Sequence, residues 1–337
     1  MNIKFLLPKA RGFVEKGRVP RRASQRFRGL VPLKHMLPTD GFIDRVEEAT
    51  KDDLVILSKA IEVKDFMYLK DLGIKFIFDI CDNKWRVGKD REKNTAIMNA
   101  GCLHANLITT TCPELKQKIY NETGKNALII DDPYERDIKE PKFKPHEKNL
   151  NICYFGGRKS FSLVDWEEVI ASLNFVCDKL GLEYTLNCIT QKHQLASKRL
   201  THQYYPDGPL IMYEWDYELQ KDLVEKSDFV LLPVPNNNFV VRHKSPNRVI
   251  DSIAQGRYVI TTYGVNSYNQ YGDFIGMGSL KDNVKWALDN PKLVISKIED
   301  GQNYIKKHHS PELIAKQWMS LRNKVWGYLT IWKKEYY

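Results

Sequence analysis

Short, wholly apolar runs alternate along this chain with stretches whose apolar positions recur every three or four residues. The runs at 2–8, 53–58, 74–80, 107–111 and 127–130 read as buried strands, and the periodic stretches at 30–40, 64–72, 94–105 and 111–120 read as helices. Gly73 and Gly124 stand where two of those helices should stop, and Thr111-x-x-Glu114 has the form of a capping box. The pattern starts again after residue 150. Strands are expected at 151–155, 184–189, 211–213, 228–233 and 258–262, with helices at 166–180, 217–227, 282–288 and 311–328 and one starting near Asn247. Strand, helix and strand in succession, with strands too apolar to show alternation, predict an α/β fold whose parallel sheets are covered on both faces.

Between the halves, residues 134–150 are dense in charge and carry Pro141 and Pro145, the clearest linker in the chain. The expected division is 1–140, 149–310, and a last helical segment at 311–337. The chain has 337 residues, 42% of them hydrophobic, with 17 tyrosines, which excludes general disorder. No apolar run approaches the roughly 18 residues of a membrane span. The opening M-N-I-K-F-L-L-P-K-A is too short in apolar residues for a signal peptide, so a cytoplasmic protein is expected. The six cysteines form no C-x-x-C pair and are expected as buried thiols; the eight histidines form no H-E-x-x-H, and no metal site is expected. The net charge of +10 implies an anionic partner, and a nucleotide-sugar, nucleic acid, an acidic glycan or a membrane surface would each satisfy it.

One stretch narrows the choice. Residues 240–262 read V-V-R-H-K-S-P-N-R-V-I-D-S-I-A-Q-G-R-Y-V-I-T-T. A basic loop leads into a helix from about Asn247, with Ser245 as candidate N-cap and Pro246 in the first turn; Gly256 ends the helix and a buried strand follows. A helix N-terminus bearing Lys244, Ser245, Asn247 and Arg248 gathers unpaired N–H groups, the positive end of the dipole and two cations, which together suit a phosphate. Asp251, one turn further, is placed to accept from ribose hydroxyls. A second glycine-rich turn, Gly156-Gly157-Arg158-Lys159-Ser160, directly follows the strand at 151–155 and lets backbone approach a ligand closely.

At these residues the sequence resembles the donor-binding segment of GT-B glycosyltransferases, in which a Lys or Arg contacts the diphosphate and an acid on the same helix holds the ribose. The match falls on Lys244, Arg248 and Asp251. Arg248-x-x-Asp251 also resembles the Arg-x-x-Glu of phage enzymes that glucosylate hydroxymethylated DNA. The chain departs from the Glu-x7-Glu of many retaining members, having His243-x7-Asp251. The resemblance implies a GT-B arrangement, two Rossmann-like domains facing one another across a cleft. It implies a nucleotide-sugar donor, a UDP-sugar first, gripped by Gly156, Gly157, Arg158, Lys244, Ser245, Asn247 and Arg248, with Asp251 on the ribose and Trp215 beside the nucleobase. No metal or other cofactor is expected to be required, since no Asp-x-Asp motif of the other main glycosyltransferase fold occurs. The last helix would cross back to the first domain.

The acceptor side is read from position. The stretch from Arg18 to Arg28 holds five arginines and no acid. It is expected as a solvated loop or helix face, or as a binding loop beside the active cleft; in the GT-B enzymes it resembles, the loop after the first strand faces the acceptor and the donor phosphates, which makes Ser24, Arg26 and Arg28 acceptor-side candidates. Asp79 and Asp82, at the end of the strand at 74–80, are candidate catalytic groups, Asp82 as general base for an acceptor hydroxyl. Both could equally serve an Asx turn or a helix cap, and Trp215 and Asp216 could equally be core and N-cap. Tyr263, Asn266 and Tyr268 are candidate neighbours of the sugar, and the aromatic, lysine-rich tail could touch a membrane surface. Three functions follow: transfer to a surface or cell-wall glycan, transfer to hydroxymethylated bases of duplex DNA, or nucleotide-sugar binding without turnover.

Overall fold

The computed structural model describes residues 2–20, 22–58, 61–85, 90–144, 149–190, 210–234, 243–262 and 265–334, with backbone alone at Arg158, Lys159 and 328–334. The chain divides into two compact units. The first comprises Met1–Glu135, His243–Asn247 and His308–Tyr337; the second comprises Arg136–Arg242 and Arg248–Lys307.

Each unit is built on a six-stranded sheet. In the first, β1 (Asn2–Leu6), β2 (Gly41–Ile43), β3 (Asp53–Leu57), β4 (Lys75–Ile80), β5 (Leu107–Thr110) and β6 (Leu128–Ile129) lie in the order β2-β1-β3-β4-β5-β6, all parallel. The two faces of this sheet feed separate cores. Val55, Leu57, Phe76, Phe78 and Ile80 pack with Phe66, Leu69 and Leu115 of the helices Val63–Asp71 and Pro113–Thr123. Ile3, Phe5, Leu54, Ile56 and Ile77 pack on the opposite side with Ile314, Trp318 and Leu321 of the helix Pro311–Lys334. Trp318 stands edge-on to Phe5, ring centroids 5.5 Å apart. Burial on both faces is why β3 (D-L-V-I-L) and β4 (K-F-I-F-D-I) read as nearly continuous apolar runs.

In the second unit, β7 (Asn149–Phe155), β8 (Glu183–Thr190), β9 (Leu210–Glu214), β10 (Phe229–Leu232), β11 (Tyr258–Thr261) and β12 (Gly276–Met277) lie in the order β12-β11-β10-β7-β8-β9, again all parallel. Its first strand lies in the middle of the sheet, with β8 and β9 on one side and β10, β11 and β12 on the other. This is the doubly wound arrangement, with the switch point between β7 and β10. Leu150, Ile152 and Tyr154 of β7 pack with Leu186, Leu231 and Ile260 against the helices Trp166–Leu180, Leu280–Asp289 and Pro291–His308. No described helix is long and apolar enough to cross a membrane. All six cysteines are free, and burial pushes the Cys102 and Cys112 thiols up to about 12.

The structure corrects several expectations. The arginine-rich stretch is helical only in its second half: residues 23–33 are helical, with a π turn at Arg26–Leu30, so the helix expected at 30–40 starts earlier and ends by Leu33. Arg26 and Arg28 can enter a helix because buried carboxylates await them, as described below. Thr111 does not occupy the cap of its helix: Cys112 is the N-cap and Pro113 follows. The strands β2 and β12 and the helix Pro291–His308 were not legible in the pattern. The two strands are too short to show a period, and the helix starts at a proline directly after another helix and carries Gly301 on its buried face. The charged stretch after Glu135 is not a free linker. It is an extended strap on the second unit: Lys139 N–H donates to Ala254 O (2.8 Å), Lys142 N–H to Gly256 O (3.0 Å), and Gln302 Nε2 to Lys139 O (2.7 Å).

Gly256 makes this strap possible. It follows the helix Asn247–Ala254 at φ +70°, and a Cβ there would stand 2.2 Å from the Glu140 carbonyl oxygen. Gly256→Ala should therefore lose about 1–2 kcal/mol from left-handed backbone alone, and more from that backbone clash. Urea denaturation measures it, and a loss below this range would show that the strap can move aside.

Candidate functional site

In the first unit the polar side chains gather at the carboxyl ends of the strands. Asp79, fully buried near the end of β4, accepts from Arg28 Nε (3.0 Å) and Nη2 (2.6 Å), from Ser58 Oγ (2.9 Å) and from Thr109 Oγ1 (2.8 Å). Arg28, 1% exposed, also donates from Nη1 to the carbonyls of Ile130 and Asp131 and to Asp132 Oδ1, and lies over the Trp318 ring. Burial alone would lower the affinity of this guanidinium for its proton, but Asp79 and Asp132 reverse that and raise it. Arg26 is likewise buried, its Nε donating to Glu135 Oε1 (2.6 Å) and its Nη1 to Pro20 O. Ser24 is 8% exposed and its hydroxyl has no hydrogen-bond partner among the described residues. These three acceptor-side candidates are thus buried groups, and the Asp79 carboxylate accepts from Arg28, Ser58 and Thr109. Asp82 is half-buried and lines a small cavity of about 20 Å³ with Ser58, Asp79, Cys81 and Lys84, room for about one water molecule.

Asp132 joins further groups. Its Oδ2 accepts from Ser245 Oγ (2.6 Å), and its carbonyl accepts from Nδ1–H of buried His309 (3.0 Å). Lys244 and Asn247, on the same short segment as Ser245, are half-buried.

In the second unit the candidates meet at the switch point. β7 ends at Phe155 and runs into Gly156, whose N–H donates to Ile189 O, and Gly157, which precedes the short helix Arg158–Ser162. The Arg158 side chain lies outside the described residues, as do the 235–240 loop and Tyr263. Arg248, in the first turn of the helix Asn247–Ala254, reaches this turn: Nη1 donates to Phe155 O (3.2 Å) and Nη2 to the Tyr268 hydroxyl (3.4 Å). A Cβ on Gly156 would lie 3.1 Å from Arg248 Nη1 and 2.5 Å from the Tyr154 hydroxyl, so a glycine is what leaves room for both. Burial pulls the Arg248 guanidinium down, Tyr268 and Tyr154 outweigh it, and the net direction is up. Among the described residues no carboxylate pairs with Arg248, the opposite of Arg28. Asp251, one turn along, is 3% exposed. Trp215 donates from Nε1 to Gln220 (2.7 Å) and from its N–H to Thr190 O, while Asp216 caps the helix Tyr217–Lys226 by accepting from Glu218 and Leu219 N–H. Tyr268, proposed from sequence as a neighbour of the sugar, is 1% exposed and faces Arg248 instead. Tyr154 was missed, since a lone tyrosine within the apolar run N-I-C-Y-F reads as core.

Two sheets of this order, each with its polar groups at the strand ends, were compared with known proteins. No protein-family model and no curated protein matches the chain. Solved structures do. Anabaena Alr3699/HepE, crystallised in complex with UDP-glucose, is similar over 96% of this chain and 100% of its own, with a TM-score of 0.73 at 10% identity. The fold is GT-B. WaaG, described as a glycosyltransferase involved in lipopolysaccharide biosynthesis, is similar over 93% of this chain and 98% of its own (TM-score 0.59, 11% identity). A point mutant of S. aureus TarM, in complex with fondaparinux, α-GlcNAc-glycerol and UDP, is similar over 81% of this chain and 56% of its own (TM-score 0.58, 12% identity). The expected GT-B fold of two Rossmann-like α/β units is therefore present.

Two predictions test the first-unit network. Arg28→Met leaves Asp79 charged and buried, and urea denaturation should show a loss of about 3–5 kcal/mol, much reduced when Asp79→Leu is added. Burial lowers the pKa of His309, against the opposing charge of Asp131, so its stabilising contribution is present above the unfolded value of about 6.5 and is lost as pH falls through the lower folded value. Unfolding free energy should therefore fall on acidification from about pH 7 to 5.5, and His309→Asn, which can keep the bond to Asp132 O, should flatten that slope.

Proposed function

We propose that the protein is a glycosyltransferase that takes a sugar from a nucleotide-sugar, a UDP-sugar first, and moves it to a hydroxyl of a surface or cell-wall glycan. The observation that carries this reading is Arg248. Its guanidinium stands at the carboxyl end of β7, beside Gly156 and at the switch point of a doubly wound sheet, held only by neutral oxygen atoms among the described residues. A cation so placed keeps its charge for an anion that arrives from outside, and the phosphates of a nucleoside diphosphate suit it. The similar proteins support the same donor: HepE was solved with UDP-glucose and the TarM mutant with UDP.

In this reading Arg248 and Arg158 hold the diphosphate, with Lys244, Ser245 and Asn247 at the start of the same helix, Gly156 and Gly157 give it room, Asp251 accepts from the ribose and Trp215 borders the base. Fixed cations stabilise the charge that grows on the departing nucleoside diphosphate as the glycosidic bond breaks. Asp82, in its half-buried cavity with Lys84, is the candidate base for the acceptor hydroxyl. Asp79 stays out of the proton transfer, because its carboxylate is filled by donors. The glycan is preferred over duplex DNA because Arg26 and Arg28, two of the five arginines between Arg18 and Arg28, are consumed in buried ion pairs and offer no charge to a DNA backbone. The neighbour WaaG is involved in lipopolysaccharide biosynthesis, which supports the same preference.

The decisive experiment offers a panel of radiolabelled nucleotide-sugars with a lipid-linked glycan and hydroxymethylated duplex DNA in parallel. Label on the glycan is expected. Label on the DNA would replace the acceptor assignment, and UDP binding with neither transfer nor donor hydrolysis would reduce the protein to a binding module. Arg248→Ala should weaken UDP binding by about tenfold or more in calorimetry, and undiminished binding would remove Arg248 from the donor site.

A further inference from the structure

We propose that Tyr154 and Tyr268 are positioning residues for Arg248: two buried phenols that, with the Phe155 carbonyl, hold its guanidinium at the end of β7 and leave its charge to a phosphate. This deepens the donor reading and rests on it.

The geometry of the surroundings carries the inference. Arg248 engages two of its five N–H groups among the described residues, Nη1 on Phe155 O and Nη2 on Tyr268 Oη. Those two bonds fix the plane of the guanidinium and leave its other N–H groups for a ligand. Tyr268 is 1% exposed in the turn Asn266–Tyr271, whose start is tied down by the Tyr268 N–H bond to Val265 O (2.9 Å). Tyr154 is fully buried, its ring edge-on to Trp166 (5.0 Å) and to Phe161 (5.8 Å). That packing aims its hydroxyl at the spot a Gly156 side chain would fill, where Arg248 Nη1 also arrives. The Tyr154 hydroxyl makes no hydrogen bond of good geometry among the described residues, so what it adds to the cradle is chiefly an oxygen dipole facing Arg248. Burying a hydroxyl without a partner is costly, and a phenylalanine would pack the same aromatic cluster at no such cost.

The chemistry of the holders matters as much as their number. A carboxylate in either place would grip Arg248 more tightly and cancel its charge, as Asp79 and Asp132 do for Arg28 in the first unit. Neutral oxygens orient the cation and leave it electrostatically unsatisfied. Consistent with this, burial raises the pKa of Tyr154, so the phenol stays protonated and neutral beside the arginine.

The test is a double-mutant cycle on the full chain, with UDP as the probe in calorimetry taken into the millimolar range. Tyr268→Phe should weaken UDP binding about tenfold and Tyr154→Phe about threefold, the larger loss going with the residue that makes a bond to the cation. Tyr154→Phe should leave the thermal midpoint unchanged or higher, because it removes an unpartnered buried hydroxyl. In the Arg248→Ala background neither tyrosine change should matter further. For donor hydrolysis, kcat should fall along with the rise in donor KM, since the charge that Arg248 meets on the diphosphate grows as the glycosidic bond breaks. Wild-type UDP affinity in both single phenylalanine variants, alongside loss in Arg248→Ala, would overturn the cradle and leave the donor reading intact. Equal losses with and without Arg248 would assign the tyrosines a structural role only and overturn the proposal. Full UDP binding by Arg248→Ala would defeat the donor reading itself, and the cradle with it.

Discussion

Everything in this protein follows from sheets of parallel strands that are buried on both faces. Such a sheet tolerates few polar groups along its length, so polar side chains collect where the strands end. Asp79 lies at the end of β4, and Thr109 and Thr110 close β5, in the first unit. Phe155 and Gly156 close β7 in the second. The helices over the sheets then decide what those ends meet. The chain's last helix puts Trp318 against Phe5 and under Arg28, and the helix Asn247–Ala254 sends Arg248 to the end of β7.

Two arginines show how one residue type serves two purposes. Arg28 is fully enclosed and neutralised: two oxygens of Asp79 and one of Asp132 accept from it, along with two carbonyls. A buried cation needs such partners to offset desolvation, and once so paired its charge is no longer available to a ligand. Arg248 is held by a carbonyl and a phenol, which orient it without cancelling its charge. The contrast separates a strut of the first unit from a candidate ligand contact of the second. No property of the arginines themselves would have done so.

The same logic explains where the sequence misled. Five arginines without an acid between Arg18 and Arg28 read as a solvated loop or helix face, or as a ligand-facing loop. The countercharges of Arg26 and Arg28 come from Asp79, Asp132 and Glu135, between 51 and 109 residues away, so no local pattern could reveal them. The charged stretch after Glu135 misled in a similar way. Its backbone pairs with Ala254 and Gly256, and a strap that bonds through its main chain is free to keep polar, linker-like side chains. Tyr154 was hidden for the opposite reason: it sits inside an apolar strand, where an aromatic residue needs no functional explanation.

By itself the sequence determined what depends on local periodicity and on single-residue conformational limits. The apolar runs and helical stripes located most strands and helices within a residue or two, and Gly73, Gly124 and Gly256 marked helix ends at which the backbone does adopt positive φ. The two all-parallel sheets followed from the alternation, and the stretch from His243 to Thr262, through the family it resembles, located the candidate donor helix. Strand order, the pairing of each buried charge and the surroundings of Arg248 were decided only in the tertiary structure. Those depend on which distant groups share a strand end. A sequence records charges one residue at a time, whereas whether a charge is cancelled or left for a ligand is a property of its neighbours in space.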